Sequence, residues 1–141
     1  MTNPTTPDGR EHHTMTIALA VSGAARALEF YKQAFGAQEL LRVPGDDGKI
    51  AHAQMRIGDS LFFVADEDPR IPNSCRSPLN LRGTSCAIYM YVVDADAVFD
   101  QAVRAGAEGL SPVADQHWGD REGLVRDPFG HLWAVAMRKR P

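Results

Sequence analysis

Several groups of residues in this chain have side chains that could do chemistry. His52, Gln54 and Arg56 alternate with Ala51, Ala53, Met55 and Ile57 along one apolar-rich run. Alternate side chains of a strand share a face, so the polar set lies on one side while the apolar set meets a helix on the other. Phe62 is read as facing the same way as His52. Tyr89 and Tyr91 share a face with Ala87, and Leu124 and Arg126 are the second-half counterparts of His52 and Gln54. The stretch Asp115-Gln116-His117-Trp118-Gly119-Asp120-Arg121 gathers charge, imidazole and indole beside a glycine, and loops of that kind carry function more often than cores do.

Two chemistries fit these residues. Stacking residues Phe62, Tyr89, Tyr91 and Trp118, with His52, Gln54, Arg56, Arg121 and Arg126 as placed polar groups, would line a mostly apolar pocket for a flat or amphipathic organic molecule. Alternatively, His52 or His117 would act as a general base, with Arg126 or Arg121 stabilising an oxyanion in an isomerase, lyase or hydrolase step. Plainer readings stand beside both. Tyr89 and Tyr91 could simply fill a sheet, where aromatic residues are favoured. Asp120 could pair with Arg121 or Arg126, leaving Trp118 as a lid. Trp133 alternates with Ala134 and is read as core, and His131 as an exposed hairpin residue. Cys75 and Cys86 have no local activating partner and match no metal-binding spacing, so they are read as free thiols.

The elements that must position these residues repeat. Thr16–Val21 reads as a strand, and AARALEFYKQAFG places Ala27, Leu28, Tyr31, Ala34 and Phe35 at helical spacing before Gly36 stops the helix. Gln38–Val43 reads as a strand, and two more strands meet at Gly58-Asp59, which completes a βαβββ unit. In the second half, Ala87–Asp94 is a strand, Ala95–Glu108 a helix closed by Gly106, Gly109–Val113 a candidate strand, and REGLVRDPFGHLWAVAM a hairpin. Gly36 matches Gly106 at a spacing of 70 and Gly58 matches Gly130 at a spacing of 72, which argues for one pseudo-symmetric domain rather than a repeat array. Asp127-Pro128-Phe129-Gly130 is a turn by its chemistry and specifies fold, not reaction.

The boundaries that follow are a disordered tail over 1–14 and a single domain over 15–138. Within that domain, module one covers about 15–66, a Pro-, Ser-, Asn- and Arg-rich linker about 67–83, and module two about 84–138. With 44% hydrophobic and 23% charged residues among 141, the chain can bury a core. A net charge of -3 gives no basic footprint for nucleic acid, and no apolar run approaches the roughly 20 residues of a membrane span. The polar start, Met1–His13, lacks the apolar core of a signal peptide, so a cytoplasmic location is expected.

The helix motif LEFYKQAFGA, the strand pair AHAQMRIGDSLFFVAD and the ending WGDREGLVRDPFGHLWAVA resemble the vicinal oxygen chelate superfamily, which holds glyoxalases, bleomycin resistance proteins and dioxygenases. The resemblance implies an α+β fold in which two βαβββ modules form a curved mixed sheet around a cavity, with helices on the convex side. It also implies a homodimer and a small organic ligand, without fixing a reaction. Metal-using members carry His or Glu at four strand positions, and alignment puts Thr16, Phe62 (Phe63 if the register slips by one), Ala87 and Ala134 there. These side chains offer a divalent ion almost nothing. No cofactor is therefore expected, unless His52, His117 or His131 form a shifted set. The resulting expectation is a metal-independent protein that sequesters an aromatic or peptide-like compound such as an antibiotic, with the His-based enzyme as the alternative.

Overall fold

The structure, a computed structural model, describes residues 2–139. Its elements in order are β1 (Ile17–Val21), α1 (Ala24–Phe35), β2 (Gln38–Pro44), β3 (Ile50–Ile57), β4 (Ser60–Asp66), the short α2 (Pro78–Leu81), β5 (Ala87–Tyr91), α3 (Ala95–Ala105), β6 (Glu108–Asp115), β7 (Asp120–Arg126) and β8 (Leu132–Arg138). The strands form two mixed four-stranded sheets, ordered β1-β4-β3-β2 and β5-β8-β7-β6, neither closed on itself. The fold is α+β, and both sheets have the same topology, as the repeat in the sequence requires. The contacts divide into a first unit of residues 1–32 and 36–77 and a second of residues 33–35 and 78–141.

In the first unit, Leu19 and Val21 of β1, Ala53 and Met55 of β3, and Phe62 and Val64 of β4 are buried with Leu28 and Tyr31 of α1. Gly23 offers α1 no side-chain cap, and the exposed amide donors of the first turn are met from a distance instead. Asp66, ending β4, accepts from the Gly23 and Ala24 amides at 2.9 Å each through one carboxylate oxygen, and from the Ile50 amide at 2.8 Å through the other. One carboxylate thus ties helix, β3 and β4 together.

In the second unit, Asp94 caps α3 by accepting from the Ala97 amide at 3.0 Å. The helix lies on β7, β6 and β8. It can approach closely because Gly123 has no side chain: a Cβ there would lie 2.8 Å from both Phe99 and Val113. Trp133 is 2% exposed, and its indole N–H donates to Asp127 at 2.9 Å. Asp127 also accepts from the Phe129 and His131 amides at 2.9 and 3.0 Å, so the turn it begins is bonded to the strand that follows.

Three segments differ from the sequence expectations. Pro78–Leu81, inside the expected linker, is a helical turn, and Glu67 at the head of that segment holds Ser77 by 3.0 and 3.1 Å hydrogen bonds. Within the expected disordered tail, Thr5 and Glu11 bridge as antiparallel neighbours, and Thr6 is 4% exposed. The reason is electrostatic. Arg56 is 4% exposed, and the tail supplies its carboxylate, with Asp8 accepting from Nε at 2.6 Å and from Nη2 at 3.0 Å. The third difference is the register of β4. Met55 pairs with Phe62 and Gln54 with Phe63, so Phe62 lies on the helix side of the sheet and Phe63 takes the face assigned to Phe62.

Candidate functional site

The polar face of the second sheet is built from β5, β7 and β8. The register pairs Tyr89 with Ala134 and Tyr91 with Ala136, and β7 sets Glu122 against Ala136 and Asp120 against Arg138. Tyr89, Tyr91, Asp120, Glu122 and Arg138 therefore share one side. Tyr89 and Tyr91 lie two residues apart on β5, and their ring centroids are 5.3 Å apart. Trp118, in the loop leading into β7, directs its indole N–H at the Tyr89 hydroxyl over 3.4 Å.

The hydroxyls meet two carboxylates. Tyr89 Oη is 2.6 Å from Glu122 and 2.8 Å from Asp120, and Tyr91 Oη is 2.9 Å from the same Asp120 oxygen, Oδ2. Tyr89 has one proton and can donate it to only one of them at a time. Tyr91 donates to Asp120, Trp118 donates to the Tyr89 oxygen, and the Tyr89 proton is shared between Glu122 and Asp120. Burial, followed by the Glu122 carboxylate, pushes the Tyr89 hydroxyl well above the usual tyrosine range. The Tyr89 hydroxyl, ahead of that of Tyr91, holds the Asp120 carboxyl below the usual aspartate range. The second Asp120 oxygen, Oδ1, accepts no hydrogen bond; Arg138 Nε lies 3.2 Å away on a side chain that is 71% exposed.

The other expected ion pairs are corrected by this geometry. Asp120 pairs with neither Arg121 nor Arg126. Arg121 reaches across to Asp96 at 2.8 and 2.9 Å and to Asp115 at 3.2 Å, and Arg126 binds Glu108 at 2.9 Å. His117 packs edge-on against Trp118 with centroids 4.8 Å apart. His131 is 9% exposed rather than an open hairpin residue, because its amide is drawn into the Asp127 turn.

On the first sheet, His52 and Gln54 are hydrogen-bonded to each other at 3.1 Å, and the His52 ring stands edge-on to Phe63 at 4.8 Å. Gln54 is 9% exposed and its Oε1 accepts no hydrogen bond. Arg56 is held by Asp8, Thr6 and the Asp59 carbonyl. Phe62 is turned away, edge-on to Tyr31 at 5.7 Å. A cavity of about 420 Å³ opens in this unit beside Ala18, Ala20 and Ala65, with Lys49, Asp68 and Arg70 at its edge. Arg70 is already engaged there by Asp68 and Asp46, and its guanidinium holds the Asp68 carboxyl down to about 2.

Of the residues singled out from the sequence, the structure brings Tyr89, Tyr91 and Trp118 together, and separately His52 with Gln54. Glu122, Arg138 and Asp8 were missed. Glu122 was within reach, since stepping back by two from Leu124 along β7 gives Glu122 and then Asp120 on the same face. The four positions that the resemblance matched to metal ligands, Thr16, Phe62 or Phe63, Ala87 and Ala134, carry no His, Cys, Asp or Glu. Among the described residues no group of three or more His, Cys, Asp or Glu side chains could hold a metal ion. The donor set does not fit a divalent cation.

Residues 10–135 match the profile of the Glyoxalase/Bleomycin resistance protein/Dioxygenase superfamily. An uncharacterised protein of Mycobacterium tuberculosis is 44% identical over 123 residues, covering 86% of this chain and 72% of its own. Among solved structures, TioX from Micromonospora sp. ML1 is similar with a TM-score of 0.70 and 32% identity, covering 90% of this chain and 99% of its own. A gene product of Arabidopsis thaliana is similar with a TM-score of 0.67 and 27% identity, covering 91% and 99%. With the profile spanning most of the chain and the repeated βαβββ topology beneath it, this chain belongs to the Glyoxalase/Bleomycin resistance protein/Dioxygenase superfamily.

Proposed function

We propose that the protein binds and sequesters a small aromatic or peptide-like compound, such as an antibiotic, against the sheet face that carries Tyr89, Tyr91 and Trp118, and does so without a metal ion. The observation that carries this reading is the exposure of the three rings: Tyr89 is 44%, Tyr91 56% and Trp118 50% exposed although they adjoin one another. Clustered exposed aromatic side chains leave apolar area in water, and a flat ligand that covers them gains the area and the stacking geometry together. The hydroxyl–carboxylate network fixes the Tyr rings, so less side-chain entropy is lost on binding.

The acid–base alternative draws less support. Arg121 and Arg126, its candidate oxyanion partners, each already hold carboxylates. Among the described residues His52 makes its one hydrogen bond to an amide, Gln54, with no carboxylate to orient the ring as a base.

The reading is tested by quenching of tryptophan fluorescence with a panel of aromatic antibiotics. Trp133 is buried and Trp118 exposed, so the quenched signal should vanish in Trp118→Phe. Tyr91→Ala should weaken binding about 3- to 10-fold, the worth of one aromatic contact. Saturable binding that ignores both substitutions would refute the assignment. We infer, too, that the chain works as a homodimer, which sedimentation at micromolar concentration would read directly as twice the chain mass.

A further inference from the structure

We propose that the ligand carries an organic cation, an ammonium, guanidinium or quaternary ammonium group joined to its aromatic or peptide-like body, and that this cation takes the place over Tyr91 now held by Arg138. The inference rests on the reading of the Tyr89, Tyr91 and Trp118 face as the binding surface.

The first ground is charge. Asp120 and Glu122 place two carboxylates under the rings, and the neutral tyrosine hydroxyls that donate to Asp120 Oδ2 and to Glu122 do not cancel their charge. The Tyr89 hydroxyl, set between both carboxylates, is held above the usual tyrosine range by burial and by Glu122. Among the described residues the cation paired with this cluster is Arg138, and its side chain is 71% exposed. One solvated positive charge faces two negative ones.

The second ground is an acceptor left open. Asp120 is 2% exposed, yet Oδ1 accepts no hydrogen bond. That desolvated oxygen is compensated by the solvated Arg138 guanidinium at 3.2 Å, and a cation held in the face lowers its cost further, an N–H-bearing one by hydrogen bond and charge, a quaternary one by charge alone. The third ground is the pose of Arg138 itself. Its guanidinium carbon stands 5.9 Å from the centroid of the Tyr91 ring, within cation–π range. The face thus accepts a cation in its own structure, presented on a long exposed arm that can swing away. Ring quadrupoles and carboxylates attract the same sign, so the face favours cations and disfavours anions.

The test is isothermal titration of the full chain with three probes that share one ring system: (naphthylmethyl)trimethylammonium, naphthylmethanol and naphthoate. The ammonium should bind about tenfold tighter than the alcohol, and naphthoate weakest. Glu122→Gln, on a half-buried side chain, should narrow the gap several-fold, whereas Asp120→Asn alters a buried carboxylate and is the less clean variant. Arg138→Gln should tighten the ammonium several-fold by removing the competing cation. If the alcohol and ammonium bind equally and both are lost in Trp118→Phe, the cation inference fails and the aromatic-site reading stands. If no probe binds, or if binding survives Trp118→Phe unchanged, both fail. Weaker ammonium binding in Arg138→Gln would overturn the exchange with Arg138.

Discussion

At the scale of residues, the molecule is organised by a few carboxylates that each serve several donors. Asp120 is the sharpest case, and its behaviour with pH has a fixed sign. Its carboxyl is held below the ordinary value by the Tyr89 hydroxyl first, so its contribution to stability is complete above roughly pH 4 and is lost as the pH falls through the lower folded value. Tyr89 is raised, so its contribution is complete below roughly pH 10 and is lost as the pH rises toward the higher folded value. Urea unfolding followed against pH should show the alkaline loss disappear in Tyr89→Phe. Persistence of the same loss would mean that another group causes it. The two tyrosines of this cluster were legible from strand alternation and Asp120 from its loop, but Glu122 was not, because an acidic residue on a strand reads first as a solvated face.

At the scale of elements, the absence of a side chain at Gly123 and the hydrogen bonds of Asp127 decide the packing. Gly123 lets α3 sit on β7, and Gly123→Ala, which sets a Cβ 2.8 Å from Phe99 and Val113, should cost about 1 to 3 kcal/mol. A lowered thermal midpoint with the far-ultraviolet spectrum kept is the expected outcome; an unchanged midpoint would mean that Phe99 swings aside freely. The Asp127 turn is the second. Asp127→Ala removes acceptors from two amides and the Trp133 indole, and should cost roughly 2 to 4 kcal/mol by chemical denaturation. The turn was readable from its Asp-Pro-Phe-Gly chemistry. Its bond to Trp133 was not, since that joins a turn to a side chain on the following strand through a rotamer choice that no periodicity encodes.

At the scale of the whole molecule, one topology is used twice, and the chain start is fastened to the first unit. Asp8 supplies the carboxylate of the buried Arg56, and the same guanidinium holds the Thr6 hydroxyl at 3.2 Å. The Arg56 guanidinium keeps the Asp8 carboxyl well below the usual range. Asp8→Asn should therefore release the segment, seen as several-fold faster tryptic cleavage after Arg10 and faster hydrogen exchange over residues 3–12. Equal rates in the two proteins would show that the bridge between Thr5 and Glu11 suffices to hold the tail. Composition made this segment look unstructured because it is polar and proline-bearing. An ion pair spanning 48 positions leaves no local signature.

The sequence by itself determined the repeated βαβββ plan, the glycine-ended helices and the Asp127 turn. All of these follow from short-range rules of period, turn chemistry and side-chain type. Only the tertiary structure decided between Phe62 and Phe63, because a slip of one residue exchanges the two faces of a strand. It alone decided, too, that Arg121 answers Asp96, Arg126 answers Glu108 and Arg138 answers Asp120. Several opposite charges are available to each arginine along the chain, and which one it meets is set by distances of a few ångströms between elements far apart in sequence.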